Sequence, residues 1–234
     1  EYVKSASRLL SLLADFEEKL PSHRRQIRQR NRIVPLGPPR LAIRGLGAMQ
    51  VKLNNQLVTN AMWISLLSRD LFFYLLHHSE GITKEKIGLS FWPDSDPDDV
   101  KLRFKNALYR LRRAIGREVI LFEDDIYSFN RHVDYEYDVE QYLEELILAE
   151  REKSPDLQYL HLARAIQFYK GPYLPTLDIP EINAERERLQ QLFESAAIQA
   201  ARLSSAQGNQ AQVIQHCLEA IHSDPYNETA YQLL

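Results

Sequence analysis

The stretch with the clearest chemical character is KLRFKNALYRLRRAIGR, which spans residues 101–117. Seven of its seventeen residues are Lys or Arg, and none is Asp or Glu. Such a concentration of positive charge attracts polyanions, because cations that neutralise phosphates release the counterions condensed around a nucleic acid. Arg and Asn can in addition bind guanine and adenine edges through paired hydrogen bonds. The segment therefore predicts binding chemistry with nucleic acid as the ligand.

The charges of this segment lie on one side of a predicted helix that spans residues 97–115. At roughly 100° per residue, four apolar side chains fall within roughly 60° of each other and must face a core. They are Phe104, Leu108, Leu111 and Ile115. The predicted DNA-binding residues occupy the rest of the helix surface and its C-terminal end: Arg103, Lys105, Asn106, Tyr109, Arg110, Arg112, Arg113 and Arg117. A solvated basic surface is the alternative interpretation.

Both ends of the predicted helix carry recognisable signals. Asp96 is expected to cap the first turn, and Pro97 suits the first helical position, where its missing N–H leaves no bond unmade. Asp98 and Asp99 place negative charge at the positive end of the helix dipole. Gly116 is typical of the residue that ends a helix.

The elements around this helix predict a winged helix-turn-helix. Strands are expected in residues 41–58 with a turn at NNQ, and helices follow at about 64–78 and 84–91, the second capped by Thr83. A β-hairpin is then expected in REVILFEDDIYSFN, with EDD at its tip. In a winged helix-turn-helix the third helix enters the major groove and the hairpin forms the wing.

The second half of the chain is predicted to be entirely helical. Helices are expected near 138–152, 155–170, 180–207, 209–223 and from 226 onward, with breaks at KSP, KGPYLP, QGN and SDPYN. Short loops between helices favour antiparallel pairs. The spacing of Gly208, Val213, Cys217, Ala220 and Pro225 resembles the second helix of a tetratricopeptide repeat.

The predicted fold is therefore mainly α with small β, and it divides into four parts. A helix covers residues 1–20, and a basic, Pro-rich linker covers 21–39. The linker contains five Arg between positions 24 and 32, so it is either a solvated tether or a basic arm on nucleic acid. A winged-helix DNA-binding domain follows at 40–134, and an all-α tetratricopeptide-like domain at 135–234.

The two halves of the chain differ strongly in charge, although the net charge of the whole is only −3. Residues 1–117 carry 21 Lys or Arg against 11 Asp or Glu, a balance of +10. Residues 118–234 carry 8 against 21, a balance of −13. This segregation predicts a polyanionic partner for the first half alone.

Other classes of function find little support in the sequence. There is no glycine-rich phosphate loop and no nucleophile elbow, and one Cys with scattered His does not provide a zinc site. We therefore expect no enzyme activity, no cofactor and no metal. No uncharged apolar run reaches the ~18 residues of a membrane span, so no membrane partner is expected. Cys217 is the single cysteine, which favours a reducing, cytoplasmic setting.

Several of these segments resemble a known family of regulators. LFFYLLHHSEGITKEKIGLSFWPDSDPDDVKLRFKNALYRLRRAIG, followed by YSFN and YDVEQY, resembles the DNA-binding half of the Streptomyces antibiotic regulatory protein family, which is similar to OmpR-type winged helices. AIQFYKGPYLP, ERERLQQL and SDPYNETAYQLL resemble the bacterial transcriptional activator domain that follows it in that family. Residues 2–20 resemble the last helix of the helical-repeat region of large ATP-dependent bacterial regulators.

The resemblance implies a DNA-binding transcriptional regulator, with an activator as the expected type. Its implied partners are double-stranded DNA, RNA polymerase and a second copy of the chain through the helical domain. The acidic wing tip departs from the pattern and does not favour contact between the wing and phosphates. Two alternatives stay open: a helical-repeat adaptor that acts through protein contacts, and a regulatory fragment of a larger ATP-dependent signalling protein.

Overall fold

The computed structural model describes residues 19–21, 23, 24 and 40–234. The predicted helix at 1–20 and the predicted linker at 21–39 therefore lie almost entirely outside the described residues. The described chain is mainly helical with two small sheets, as predicted. It divides into two compact units, the first formed by residues 40–43 and 51–136 and the second by residues 44–50 and 137–234.

The first unit contains most residues of both sheets together with four of the described helices. Its strands are β1 (Leu41–Arg44), β2 (Gln50–Leu53), β3 (Gln56–Leu57), β4 (Ile82–Thr83), β5 (Ile120–Glu123), β6 (Ile126–Phe129) and β7 (Tyr135–Tyr137), where the last residue of β1, the first of β2 and the last of β7 belong to the second unit. Its helices are α1 (Asn60–Trp63), α2 (Leu66–His77), α3 (Lys84–Phe91) and α4 (Pro97–Ile115). The strand orders are β3-β2-β1-β7 in one sheet and β4-β6-β5 in the other.

Two tight turns fix the hairpins of this unit. Asn54 and Asn55 have φ values of 49° and 66° between β2 and β3, and Asp124 and Asp125 have 48° and 62° between β5 and β6. Asn and Asp tolerate positive φ better than other residues with side chains, so both pairs suit the two-residue turns that match strand twist. Both hairpins were predicted from the sequence, and the structure confirms them.

Helix α2 is the centre of the first unit's core. Every residue from Leu71 to Leu76 is buried. The ring of Phe72 meets the ring of Phe129 on β6 at 5.9 Å, and Phe129 meets Tyr135 at 4.8 Å. A helical segment that is buried on all sides must be enclosed by other elements, so the second half of α2 provides the support on which α4 and the β5–β6 hairpin pack.

Helix α2 begins close to its predicted position, and one predicted cap in this unit is wrong. The helix expected at about 64–78 lies within two residues of these bounds, and it begins at Leu66 because Ile64 adopts a φ of 63° that ends the short helix α1. Asp96 precedes α4 as expected, but its side chain makes no capping hydrogen bond. The main-chain carbonyl of Asp96 instead accepts from the N–H of Val100 at 2.9 Å, and Pro97 has no N–H to satisfy.

The second unit consists of helices α5 (Asp138–Arg151), α6 (Pro155–Phe168), α7 (Pro180–Ala206), α8 (Gln210–Ser223) and α9 (Glu228–Leu233), together with residues 44–50. Each helix lies within two residues of its predicted bounds. Leu162, Leu189, Val213 and Cys217 are buried in its core. The buried position of Cys217 agrees with a structural thiol in a packed helix.

Residues 44–50 leave the first unit and pack within the second. The carboxylate of Asp138 accepts hydrogen bonds from the backbone N–H groups of Gly45 at 2.7 Å and Leu46 at 3.2 Å. The N–H of Gly47 donates to the carbonyl of Pro172 at 3.0 Å. Burial raises the pKa of Asp138 to about 6, although these N–H groups favour its ionised form. None of the described helices is long and apolar enough to cross a membrane.

Candidate nucleic-acid interface

Helix α4 is held in place by its apolar stripe and by a close approach to α3. Phe104, Leu108, Leu111 and Ile115 are buried, as the periodicity predicts. At Gly88 on α3, an added Cβ would lie 2.6 Å from Cγ1 of Val100 on α4. The absence of a side chain at Gly88 therefore allows the two helices to come close, and this distance sets the position of the basic surface of α4.

The basic surface of α4 and the β5–β6 hairpin enclose an open cleft of about 740 Å³. Phe104, Leu108 and Tyr127 contribute its apolar lining, and the rings of Phe104 and Tyr127 meet edge to face at 4.7 Å. Its remaining lining is almost entirely cationic: Lys84, Lys101, Lys105, Arg112, Arg113 and Arg117, together with Tyr109. We refer to this set of residues as the cationic cleft.

Most charges of the cationic cleft are not neutralised within the protein. Lys101, Lys105, Arg113 and Arg117 form no ion pair with any acidic side chain that the structure describes. Glu118, which follows Arg117 in the sequence, instead pairs with Arg40. Clustered like charges repel each other, so this arrangement favours an anion that spans several of them.

Arg112 differs from the other cations of the cleft because it is half-buried and bound to the hairpin. Its Nη2 donates to the carbonyl of Ile120 on β5 at 3.0 Å, and its Nε is buried without a partner. Burial raises the pKa of the Tyr127 hydroxyl, while the charges of Lys84 and Arg112 act in the opposite direction. Arg112 thus fixes the hairpin against α4 as well as adding charge to the cleft.

The other predicted residues lie on the part of α4 outside the cleft lining. Arg103 and Asn106 are exposed and Arg110 is half-buried. Tyr109 belongs to the cleft lining and is also 60% exposed. Asn106 and Arg110 are four residues apart and therefore share one helix face. The eight predicted residues therefore fall into two groups: five line the cleft, and Arg103, Asn106 and Arg110 lie outside its lining.

Lys84 and Lys101 also line the cleft and are absent from the predicted set. Lys101 lies one helical turn before Lys105, so the helical period alone would have revealed it. Lys84 begins α3, and its place depends on the antiparallel pairing of β4 with β6, where Thr83 is opposite Ile126. No short-range pattern in the sequence gives that pairing.

The hairpin beside the cleft has an acidic tip and an aromatic side. Asp124 and Asp125 occupy the turn. Phe122 is half-exposed and stacks on Tyr127 with ring centroids 4.4 Å apart. The cations that could meet phosphates therefore come from the helices and not from the tip of the hairpin. Among the described residues, no three His, Cys, Asp or Glu side chains are grouped to hold a metal ion.

The helical unit can be compared with known domain families. Residues 137–234 match the Bacterial transcriptional activator domain. The match begins at Tyr137, where the chain returns to the second unit, and ends at Leu234. A search of curated proteins found no match to the chain. The activator domain indicates transcription regulation as the class of function, and it lies outside the part of the chain that contains the cationic cleft.

The activator domain itself carries an open groove of about 680 Å³ beside the end of α6 and along α7 and α8. Tyr169 and Phe193 stack in it with ring centroids 4.4 Å apart. Burial raises the pKa of Tyr169 to about 12. Leu218 adds apolar surface, and Lys170 adds one positive charge. This mostly apolar lining differs sharply from that of the cationic cleft.

Proposed function

We propose that this chain is a sequence-specific DNA-binding transcriptional regulator, an activator in type. In this proposal residues 40–134 act as a winged helix-turn-helix, α4 reads the major groove and the β5–β6 hairpin is the wing. The activity is binding and includes no catalytic step. It takes place in the cytoplasm, where bacterial DNA lies.

The observation that carries the proposal is the cationic cleft with its charges left available. Four cations line the cleft without acidic partners among the described residues: Lys101, Lys105, Arg113 and Arg117. The opposite face of α4 is buried in the core. A purely solvated surface gains nothing from such clustering, because the like charges repel each other. A phosphate backbone that runs through the cleft is attracted to these cations and offsets the repulsion between them.

The position of each residue suggests a division of roles. The cleft residues Lys101, Lys105, Arg113 and Arg117 meet phosphates and set the register of α4 on the duplex. Arg103, Asn106 and Arg110 lie on the adjacent face and meet base edges, where Arg pairs with guanine and Asn with adenine. Arg112 contributes mainly by holding the wing, and Tyr109 lies at the border between the two groups.

Selection of bound sites from random duplex DNA tests the proposal directly. The 234-residue chain is mixed with the random pool at moderate salt, and bound duplexes are recovered, amplified and sequenced through several rounds. We expect enrichment of a defined motif and affinity for it that exceeds affinity for random duplex by at least about 10³-fold. Enrichment of no motif, with equally weak binding to every duplex, would refute sequence-specific recognition.

The activator domain, in the same proposal, is tetratricopeptide-like and contacts a protein: RNA polymerase or a second copy of the chain. The apolar groove with Tyr169 and Phe193 supports a protein-contact role. It also favours the second candidate function, a helical-repeat adaptor or a regulatory fragment of a larger ATP-dependent regulator that acts mainly through protein contacts. The selection experiment separates the two, because an adaptor enriches no DNA motif.

A further inference from the structure

Leu102 is an unusual residue on the basic side of α4. Its side chain is 59% exposed although its sequence neighbours are Lys101 and Arg103. Single exposed leucines are common on protein surfaces, so exposure alone has no functional meaning. The position of Leu102 on the helix, in contrast, bears on DNA recognition.

Leu102 lies at the middle of the exposed face of α4. The buried residues of the helix are Phe104, Ala107, Leu108, Leu111, Ala114 and Ile115. At roughly 100° per residue, Leu102 points roughly 180° away from the centre of that stripe. Asn106 is one turn further along on the same face, and Tyr109 follows two turns after Leu102. A helix that enters a groove with this face inserts Leu102 toward the bases.

A leucine in that position can recognise only an apolar group. It has no donor or acceptor for phosphates or base edges. Among the unmodified bases, the major groove offers one apolar group, the 5-methyl of thymine. We propose that Leu102 packs against a thymine methyl and that the preferred site therefore contains a thymine within the segment read by the first half of α4. This inference rests on the proposed DNA-binding function and adds the base that one residue selects.

Leu89 offers a matched control on the preceding helix. It is 70% exposed on α3 and is not part of the lining of the cationic cleft. Loss of either leucine side chain removes the same atoms from an exposed helical position. A difference in DNA recognition between the two variants therefore arises from the position of Leu102 on α4 and not from the loss of an exposed leucine as such.

Deoxyuridine scanning tests the inference, and its first part needs only the unmodified chain. Deoxyuridine has the base-pairing groups of thymidine and lacks only the 5-methyl. Each thymine of the selected site is replaced in turn, and the Kd is measured for the unmodified chain, for Leu102→Ala and for Leu89→Ala. We expect one thymine whose replacement weakens binding of the unmodified chain by about three- to fivefold, the effect of one buried methyl group.

The variants identify the residue that meets this methyl. Leu102→Ala should bind the thymine and deoxyuridine duplexes equally, and Leu89→Ala should keep the full discrimination. The inference is overturned if no thymine replacement weakens binding, if the selected motif contains no thymine, or if Leu102→Ala discriminates as strongly as the unmodified chain. Each of these results leaves sequence-specific binding intact, whereas failure of the proposed function shows as the absence of any enriched motif.

Discussion

Arg112 and Arg113 are adjacent and carry the same charge, but only Arg112 is tied to the protein. Its guanidinium donates to the carbonyl of Ile120, while Arg113 is exposed in the cationic cleft. We expect Arg112→Gln to lower the free energy of unfolding by about 1–2 kcal/mol, because a half-buried carbonyl loses a charged donor. Arg113→Gln should change it by less than about 0.5 kcal/mol.

Urea unfolding of both variants, followed by DNA-binding titrations, checks this contrast. Arg113→Gln should weaken binding to all duplexes alike while the fold stays intact. Equal losses of stability in the two variants would show that the hydrogen bond between Arg112 and the β5–β6 hairpin contributes nothing measurable. Helical periodicity in the sequence cannot distinguish Arg112 from Arg113 in this way, because the carbonyl of Ile120 belongs to a strand whose position depends on the fold.

At the scale of elements, the contact between α3 and α4 depends on the missing side chain of Gly88. Gly88→Ala places a Cβ against Cγ1 of Val100, and strain of about 1–3 kcal/mol opposes a gain of about 1 kcal/mol in helix propensity. We expect a net loss of stability and of DNA affinity, because α4 shifts relative to the β5–β6 hairpin. Denaturant unfolding and DNA binding are the measurements.

The double variant Gly88→Ala/Val100→Ala provides the control for this contact. Removing Cγ1 of Val100 frees the space that the new Cβ needs, so the two substitutions should show a favourable coupling of about 1 kcal/mol in a double-mutant cycle. Additive effects of the two substitutions would mean that the clash is relieved elsewhere and does not control the α3–α4 distance.

The hydrogen bonds between the carboxylate of Asp138 and residues 44–50 predict that the stability of the chain depends on pH. Burial raises the pKa of Asp138 from 3.8 to about 6, so the folded chain retains this proton at pH values where the unfolded chain has lost it. The contribution of Asp138 to stability is therefore greatest below about pH 4 and declines as the pH rises to about 6. The decline amounts to at most about 3 kcal/mol.

Asp138→Asn cannot ionise, so it should lose this component of the pH dependence. The free energy of unfolding of the variant, relative to the natural sequence, should improve by up to about 3 kcal/mol between pH 4 and pH 7 as measured by urea unfolding at each pH. A constant difference across this range would mean that Asp138 titrates in the folded protein as it does in the unfolded chain.

The elements themselves were largely predictable from local sequence. Thr83 caps α3 as expected, with its hydroxyl accepting from the N–H of Lys86, and the Asp124–Asp125 turn fixes the β5–β6 hairpin. The placement of residues 44–50 with the helical unit was not predictable. It arises from hydrogen bonds to Asp138 and Pro172, more than ninety residues away in sequence. Periodicity and capping signals report only on near neighbours along the chain.

At the scale of the whole molecule, the segregated charge predicts that only the first unit drives association with DNA. Four cleft cations, Lys101, Lys105, Arg113 and Arg117, are available for phosphates, whereas Lys84 pairs with Glu85. We expect log Kobs to fall with log salt with a slope of about −3 to −4. Lys105→Gln should reduce the steepness by about 1.

Arg202→Gln is the matched control for the salt dependence. Arg202 is an exposed cation of the activator domain, where residues 137–234 carry 7 Lys or Arg against 15 Asp or Glu. Its replacement should leave the slope unchanged. An equal effect of Arg202→Gln and Lys105→Gln would indicate a diffuse response to net charge in place of contacts in the cationic cleft.

Base reading by α4 is tested most directly by the affinity of Arg110→Ala for specific and random duplexes. Arg110 shares a face with Asn106 and lies outside the cleft lining. We predict a loss of about 1–3 kcal/mol on the selected site, with much less effect on random duplex, for a variant whose circular dichroism matches that of the unmodified chain. Equal losses on both duplexes would make Arg110 a phosphate contact and contradict base reading by this face of α4.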